Sequence, residues 1–549
     1  MNTFRSGLLL LLVCFAAFWW RLGTLGLIDP DEPFYAQSAH EMLTTGDWLT
    51  PQIYGAPQFE KPIFYYWMVA ASYKTLGETE FAGRMPTALF STLLVLMCWA
   101  WASRVFNPQA GFLGALILAT GLEFSVMSRL MLTDVPLAFF LAGSIFSYWF
   151  AISGSSRRQL WLALHVLCSA FAVLTKGPIG SLIPLLGALS FSAATRTAPV
   201  LRGRGFWMGC AAYAVLVAPW YGLMFLWHGR RFWEEFFVRD NWLRLIRAEH
   251  PANNHVYYYA GLLLLGSIPW MPVVMAAIRR LWHDVRQDRR LAYVCAWLLS
   301  SLIFLTVAQS KLPSYGFFLF VPMSLLAGVT LDSICRLGFR DRTEKWILIS
   351  AAVLQFVAAF AAPLLPVAKP FAMPAALTAG CLMLAVICLV FRRWQPWVLA
   401  SAVASIVLIT GALTFSKEHV EADSSARPVA QELARRRQGD EPLLSGKFLI
   451  RGIIYYMREP VTVLANKAQP FWAAHPLPVV VWRGDGVEQF LAKHPTALCA
   501  LRRSEWETLC KHAAFAGSEV LSESGPNIIV RAHAPSPPQK TVAAQTGGK

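Results

Sequence analysis

The chain reads as a polytopic α-helical membrane protein that carries a small α/β domain at its C-terminal end. Three observations predict that class. Of its 549 residues 56% are hydrophobic and 15% charged, against about 25% charged in an average soluble domain. Apolar runs close to the roughly 20 residues that a bilayer core requires recur from residue 6 to residue 415. From about residue 417 these runs stop, and short β-branched stretches alternate with amphipathic ones.

Thirteen spans are predicted, near 6–24, 82–103, 109–127, 132–152, 158–175, 178–195, 206–227, 257–278, 291–309, 315–333, 346–366, 371–390 and 395–415. The first reads as an uncleaved signal anchor, because "FAAFWWRLG" is too bulky for a cleavage site. One set of alternate loops is basic throughout: Arg5, Arg104, Arg157 and Arg158, Arg196 to Arg204, "RRLWHDVRQDRR", "RLGFRDRTEK", and Arg392 with Arg393. Basic loops mark the cytoplasmic side. This also accounts for the net charge of +16 without nucleic acid as a partner.

The first outer loop, about 25–81, reads as two helices lying at the membrane surface, 32–46 and 61–77. The first shows Tyr35, Ala39, Met42 and Leu43 at helical spacing. Residues 1–416 then form the transmembrane domain and 417–532 an outer, periplasmic α/β domain. In the latter, 425–439, 486–494 and 503–512 read as helices, and 478–482, 518–524 and 527–532 as strands. The tail, 533–549, is poor in apolar residues and reads as disordered. Eight of the ten cysteines lie in or beside apolar spans. Cys499 and Cys510 fall in the outer domain, where an oxidising compartment would allow a disulfide.

The outer loops hold the unusual chemistry. "GLIDPDEPFYAQ" places Asp29, Asp31 and Glu32 within four positions. Asp29 or Asp31 can cap the following helix. Three carboxylates exceed a cap and suit a general base, an acceptor-orienting group or a cation site. Glu60 and Lys61 read as a surface ion pair or as part of a site. Lys61, Arg129, Lys176 and Lys311 either snorkel to lipid phosphates or line a phosphate pocket that stabilises developing negative charge. Asp134 pairs with Arg129 or another of these cations, and Tyr315 lies close to Lys311 in "SKLPSY". No Walker-type loop or dinucleotide fingerprint is present.

The stretch "DPDEPFYAQSAHEMLTTGDWLTPQIYGAPQFEKPIFYYW" (29–67) resembles the first outer loop of a large family of membrane glycosyltransferases of the type C fold. The shared positions are Asp31, Glu32, Tyr35, Gly46, Asp47, Trp48, Pro51, Gly55, Glu60, Lys61 and Pro62. "RLMLTD", "LTKGP", "EH" before "VYYY", "GSIPW" and "SKLPSY" follow in the family's order, so the resemblance covers roughly residues 20–330. It is strongest to the bacterial lipid A aminoarabinose transferases, within the protein-mannosyltransferase superfamily. That resemblance implies transfer of a sugar, 4-amino-4-deoxy-L-arabinose first, from undecaprenyl phosphate to lipid A phosphate at the periplasmic face of the inner membrane. The implied partners are that donor, lipid A or another outer-leaflet acceptor, and membrane lipids. Asp31 is implied as base or orienting group, with Glu32 supporting it. Tyr35, Lys61, Arg129, Asp134, Lys176, Lys311 and Tyr315 are implied on the substrates, Lys176 and Lys311 at the donor phosphate. Glu60 with His250, or His255 in its place, is implied as an optional site for a divalent cation, zinc or magnesium.

The relatives usually read "DExRYAE", whereas this chain has Phe34 and Gln37. The departure leaves open a hexose or hexosamine, attached to lipid A, protein or another glycan. A lipid or sugar transporter or flippase would show charges buried in mid-span, and few occur here. A ligand-sensing receptor built on the outer domain would not need the acidic loop.

Overall fold

A computed structural model of the chain describes residues 3–472 and 476–534. The tail expected from 533 therefore lies, from residue 535, outside the described residues. The chain divides into two compact units: Met1–Leu25 with Tyr35–Lys417, and Gly26–Phe34 with Glu418–Lys549.

The first unit is helical. Among the described residues nine helices are long and apolar enough to cross a membrane, and Thr3–Trp19, Pro108–Thr120 and Ile179–Thr195 are shorter apolar helices. The chain is a multi-pass membrane protein. The expected thirteen spans are matched only in part among the described residues. The stretch near 257–278 is two helices, Tyr258–Gly266 and Met271–Asp284. Pro269, which has no amide hydrogen and a fixed φ, sits in the break. The 109–127 stretch likewise stops at Thr120 and restarts as Leu122–Met127. The expected 206–227 span runs on as Arg204–Phe232, bent at Gly229 (φ 47°, ψ −122°), and then as a π-helix, Trp233–Leu243. Only glycine takes that backbone conformation readily.

The first outer loop contains the helices Asp31–Thr45 and Phe64–Leu76. Between them β1 (Gln52–Ile53) and β2 (Ala56–Pro57) form a small antiparallel hairpin. Its turn residues Tyr54 and Gly55 both have positive φ, as a two-residue turn of that hand demands. The Glu41 carboxylate accepts from both turn amides, Tyr54 at 2.6 Å and Gly55 at 3.0 Å. Asp47 Oδ1 accepts from the amides of Leu49 (2.9 Å) and Thr50 (3.0 Å). Side-chain carboxylates thus satisfy the backbone of a loop that has few ladder bonds of its own.

The second unit is a six-stranded sheet. Its strands are β3 (Leu443–Gly446), β4 (Thr462–Ala465), β5 (Val479–Val481), β6 (Thr496–Arg502), β7 (Glu519–Ser524) and β8 (Asn527–His533). The order is β5-β4-β3-β6-β8-β7; the first four are parallel, and β8 and β7 are antiparallel additions. The helix Ile450–Met457 crosses from β3 to β4, and Gly486–Lys493 from β5 to β6. The winding reverses between β3 and β6, the place where such sheets hold ligands beyond their carboxyl ends. β3, β4 and β6 are strands that sequence reading leaves out. Cys499 lies buried on β6 in the apolar core, Cys510 is exposed, and both are free. The disulfide does not form because one thiol belongs to the core and the other to the surface.

Residues 26–34 pack with this unit. The expectation that Asp29 caps the helix beginning at Asp31 fails: its Oδ1 accepts from the Gly452 amide at 2.9 Å and its Oδ2 from the Ala426 amide at 2.8 Å. Glu32, in the first turn of the Asp31–Thr45 helix, instead reaches back to the preceding loop, its Oε2 accepting from the Ile28 amide at 2.7 Å.

Candidate active site

In the helical unit a cavity of about 570 Å³ is charged at one end and apolar along its walls. The walls come from Leu137, Ile179, Leu182, Trp233, Phe237 and Phe304, among others. The charged end gathers Glu60, Lys61, Lys176, Asp240, Arg244 and Tyr315. Such a shape takes an amphiphile, with its polar head fixed by a few convergent groups.

Lys61 stands in the loop between β2 and the Phe64–Leu76 helix. Its Nζ donates to the Glu60 carbonyl at 2.9 Å and lies 3.6 Å from Asp240 Oδ2. Burial, and then the Arg244 guanidinium, pull its ammonium below the ordinary lysine value, against Asp240 and Glu60. Lys176 closes the Arg158–Lys176 helix and is followed by Gly177 at φ 91°. It is ion-paired with Asp134, in the first turn of the Asp134–Ile152 helix, and its Nζ lies 4.8 Å from the centroid of the Tyr315 ring. Asp134 therefore acts behind Lys176.

Asp240 and Arg244 are functional candidates that sequence reading misses. Both follow the kink at Gly229, Asp240 inside the π-helix and Arg244 just beyond it. Their spacing of four in a stretch rich in aromatic residues is the signal that could have found them. Arg244 Nη1 donates to the Tyr315 hydroxyl at 2.9 Å, its Nη2 lies 3.8 Å from Asp240 Oδ1, and its Nε lies 3.4 Å from Glu249 Oε2. The backbone is pinned at this point, Ser310 N donating to Arg244 O and Gln309 N to Leu245 O, both at 3.0 Å. Asp240 Oδ2, Arg244 Nε and Ser310 Oγ are buried and make no hydrogen bond among the described residues. Two of these atoms have only an ion-pair contact, Asp240 Oδ2 with Lys61 and Arg244 Nε with Glu249. Buried polar atoms short of a hydrogen bond are uncommon in folded proteins, and three beside one cavity suit a polar head group.

Other expected site residues lie elsewhere. Arg129 is buried, with Nη1 donating to Ala17 O (2.9 Å) and Nη2 to Trp20 O (2.6 Å), so it ties down the end of the first helix. The Lys311 ammonium is occupied by Asn254 Oδ1 (2.6 Å) and Ala308 O (2.7 Å), bracing two loops behind the cavity. Tyr35 packs on Tyr65 (centroids 5.3 Å apart) and Tyr66 (5.8 Å), away from the charged end. Asp31 and Glu32 open their helix within the second unit. His250 is exposed in a loop, and among the described residues no three His, Cys, Asp or Glu side chains converge as metal ligands. Two protein ligands do not make a closed zinc site, which takes four.

The helical unit is that of a polytopic membrane protein, and the chain has the fold of ArnT. The crystal structure of ArnT from Cupriavidus metallidurans bound to undecaprenyl phosphate superposes with a TM-score of 0.76 over 99% of both chains, at 21% identity. The model of the dolichyl-phosphate-mannose-protein mannosyltransferase family matches residues 6–234. The chain is similar in sequence to the undecaprenyl phosphate-alpha-4-amino-4-deoxy-L-arabinose arabinosyl transferases. That of Pseudomonas aeruginosa PAO1 is 32% identical over 336 residues, 60% of each chain. That of Erwinia tasmaniensis is 27% identical over 304 residues, 55% of this chain and 54% of the relative. The chain thus matches about 60% of the length of the Pseudomonas relative.

Proposed function

We propose that the chain is a glycosyltransferase that moves 4-amino-4-deoxy-L-arabinose from undecaprenyl phosphate to a phosphate of lipid A. The observation that carries this reading is the cavity: an apolar wall suited to a polyprenyl chain meets Lys61, Lys176, Arg244 and Tyr315 at one end. The names of the similar proteins support the choice of sugar and carrier. The basic loops of one parity support a cytoplasmic side opposite the site. The site then faces the periplasm from the inner membrane.

In this reading Arg244, Lys176 and the Tyr315 hydroxyl hold the donor phosphate. The bond from the sugar's anomeric carbon to the phosphate oxygen breaks, and its electron pair stays on the leaving polyprenyl phosphate. Fixed cations in a desolvated cavity stabilise that developing charge. A lipid A phosphate oxygen, already anionic, forms the new bond, so little base strength is needed. Asp31 orients this acceptor, with Glu32 holding the helix start. Phe34 favours one alternative, a hexose or hexosamine donor, because the relatives' arginine is absent there.

The test is transfer by the purified full chain, reconstituted with undecaprenyl-phosphate aminoarabinose and lipid A and read by mass spectrometry. Lipid A gaining an aminoarabinose is expected. Gain only from a hexosamine donor would move the assignment to the alternative, and no gain from any polyprenyl donor would refute it.

A further inference from the structure

Asp29 occupies the place where an α/β sheet binds the polar end of a ligand. The Gly452 amide that it engages lies in the first turn of the Ile450–Met457 crossover helix after β3. The Ala426 amide begins the Arg427–Arg436 helix. One carboxylate therefore joins two helix starts, each with unpaired amides and a positive dipole end. The helix after β3 borders the β3/β6 reversal, the ligand-binding edge of this topology. Arg451 and Arg502, the latter ending β6, add positive potential there. Here the chain's own loop serves as the ligand.

Further bonds hold the same loop. Asp29 N donates to Ser424 O at 2.8 Å, Leu27 N to the Tyr456 hydroxyl at 2.7 Å, and Gly26 N to Glu421 Oε1 at 3.3 Å. Gly452 is required for the approach: a Cβ there would fall 2.5 Å from Asp29 Oδ2 and 2.6 Å from the Ala426 Cβ. The grip ends one proline before Asp31, at the first turn of the helix that carries both candidate carboxylates.

We propose that the C-terminal α/β unit is a clamp for the acidic loop, and that Asp29 is a positioning residue that seats Asp31 and Glu32 for transfer. This rests on the reading of Asp31 as a group that orients the acceptor. The clamp has no ligand to bind and release; its ligand is fixed in the chain, so its output is the orientation of the Asp31–Thr45 helix start.

The test uses the full chain in lipid nanodiscs with three variants: Asp29→Ala, Gly452→Ala and Tyr456→Phe. Alanine at a helical glycine raises helix propensity, so a helix-stability role alone predicts that Gly452→Ala is neutral or stabilising. The clamp predicts faster hydrogen exchange across residues 27–34 in all three, largest in Asp29→Ala. It also predicts a fall in kcat of about tenfold or more for Asp29→Ala and Gly452→Ala, the equivalent of about 1.4 kcal/mol, with the donor KM unchanged. Tyr456→Phe, which removes one tether without touching Asp29, should lose less. Wild-type protection of 27–34 in Asp29→Ala and Gly452→Ala would overturn the clamp. A loosened loop with unchanged kcat would overturn its role in positioning. If the wild-type chain transfers no sugar, the functional reading fails, while the exchange measurement still decides the clamp.

Discussion

Arg244 Nη1 and the Tyr315 hydroxyl meet at 2.9 Å across 71 residues of sequence. Because the hydroxyl oxygen accepts from the guanidinium, its own hydrogen is left to donate into the cavity. Tyr315 thereby becomes a donor beside two cations, Arg244 and the Lys176 ammonium over its ring. A phosphate oxygen placed there would receive charge-assisted hydrogen bonds from a group set before the ligand arrives.

Arg244→Lys keeps the charge but loses the planar fork. A hydrogen bond to a charged group contributes about 1.5–3 kcal/mol, so kcat/KM for transfer should fall about 10- to 100-fold. Binding of undecaprenyl phosphate should weaken in parallel. Tyr315→Phe removes a neutral donor and should cost about 1 kcal/mol. Wild-type affinity in Arg244→Lys would remove the phosphate from this end of the cavity.

Lys61 stands 3.6 Å from the buried Asp240. Lys61→Met leaves the Asp240 carboxylate with Arg239 and Arg244 only, at 3.4 and 3.8 Å. The loss should be about 1–3 kcal/mol, typical of a buried group left short of a partner. Lys61→Met with Asp240→Asn should recover most of it, read by thermal unfolding in detergent. Because burial pulls the Lys61 ammonium below its ordinary value, donor affinity should fall with rising pH before the ordinary lysine range is reached. Lys61→Arg should flatten that limb.

Arg129→Met should separate stability from binding. The guanidinium serves the carbonyls of Ala17 and Trp20, and losing charge-assisted bonds to buried carbonyls costs about 1.5–3 kcal/mol. The melting temperature should drop while undecaprenyl phosphate affinity stays at the wild-type value. A loss of affinity without a loss of stability would return Arg129 to the site.

Asp29 sets a pH slope. Burial pushes its carboxyl up to about 8, against the Ala426 and Gly452 amides and the Arg451 and Arg502 charges. A carboxyl raised on folding binds its proton more tightly in the folded state. Its contribution is greatest below the unfolded value and is lost as pH rises through the folded one. Resistance of the C-terminal unit to proteolysis, measured on the full chain, should therefore fall between about pH 4 and pH 8. In Asp29→Asn this component of the slope should vanish.

The membrane class was legible because apolar run length is a direct physical demand of the bilayer. Lys61, Lys176 and Tyr315 were legible because loop parity and motif order brought them to one face, and the cavity gathers all three. Asp240 and Arg244 were not. They lie past a glycine kink in a π-helix, where charges among aromatics read as the frayed end of a span. Lys311 and Arg129 looked equivalent to Lys61 in sequence, and only tertiary contacts show their charges satisfied elsewhere. Asp29 was misread as a local cap because its partners, Ala426 and Gly452, lie about four hundred residues away.

The family resemblance leads one to expect a guanidinium next to the Asp-Glu pair, and where this chain has Phe34 a guanidinium arrives from the far end of the chain. Arg451 stands 4.8 Å from the centroid of the Phe34 ring and donates to Pro30 O at 3.4 Å. The charge beside the acidic loop is therefore encoded in two separate segments. A chimaera that joins residues 1–417 of this chain to a C-terminal segment lacking an arginine at that place would leave the loop with no guanidinium. Moving Arg451 onto a loop that already has its own would give two. Substrate preference in such hybrids would follow the pairing of the segments, and swapping either one alone would change it.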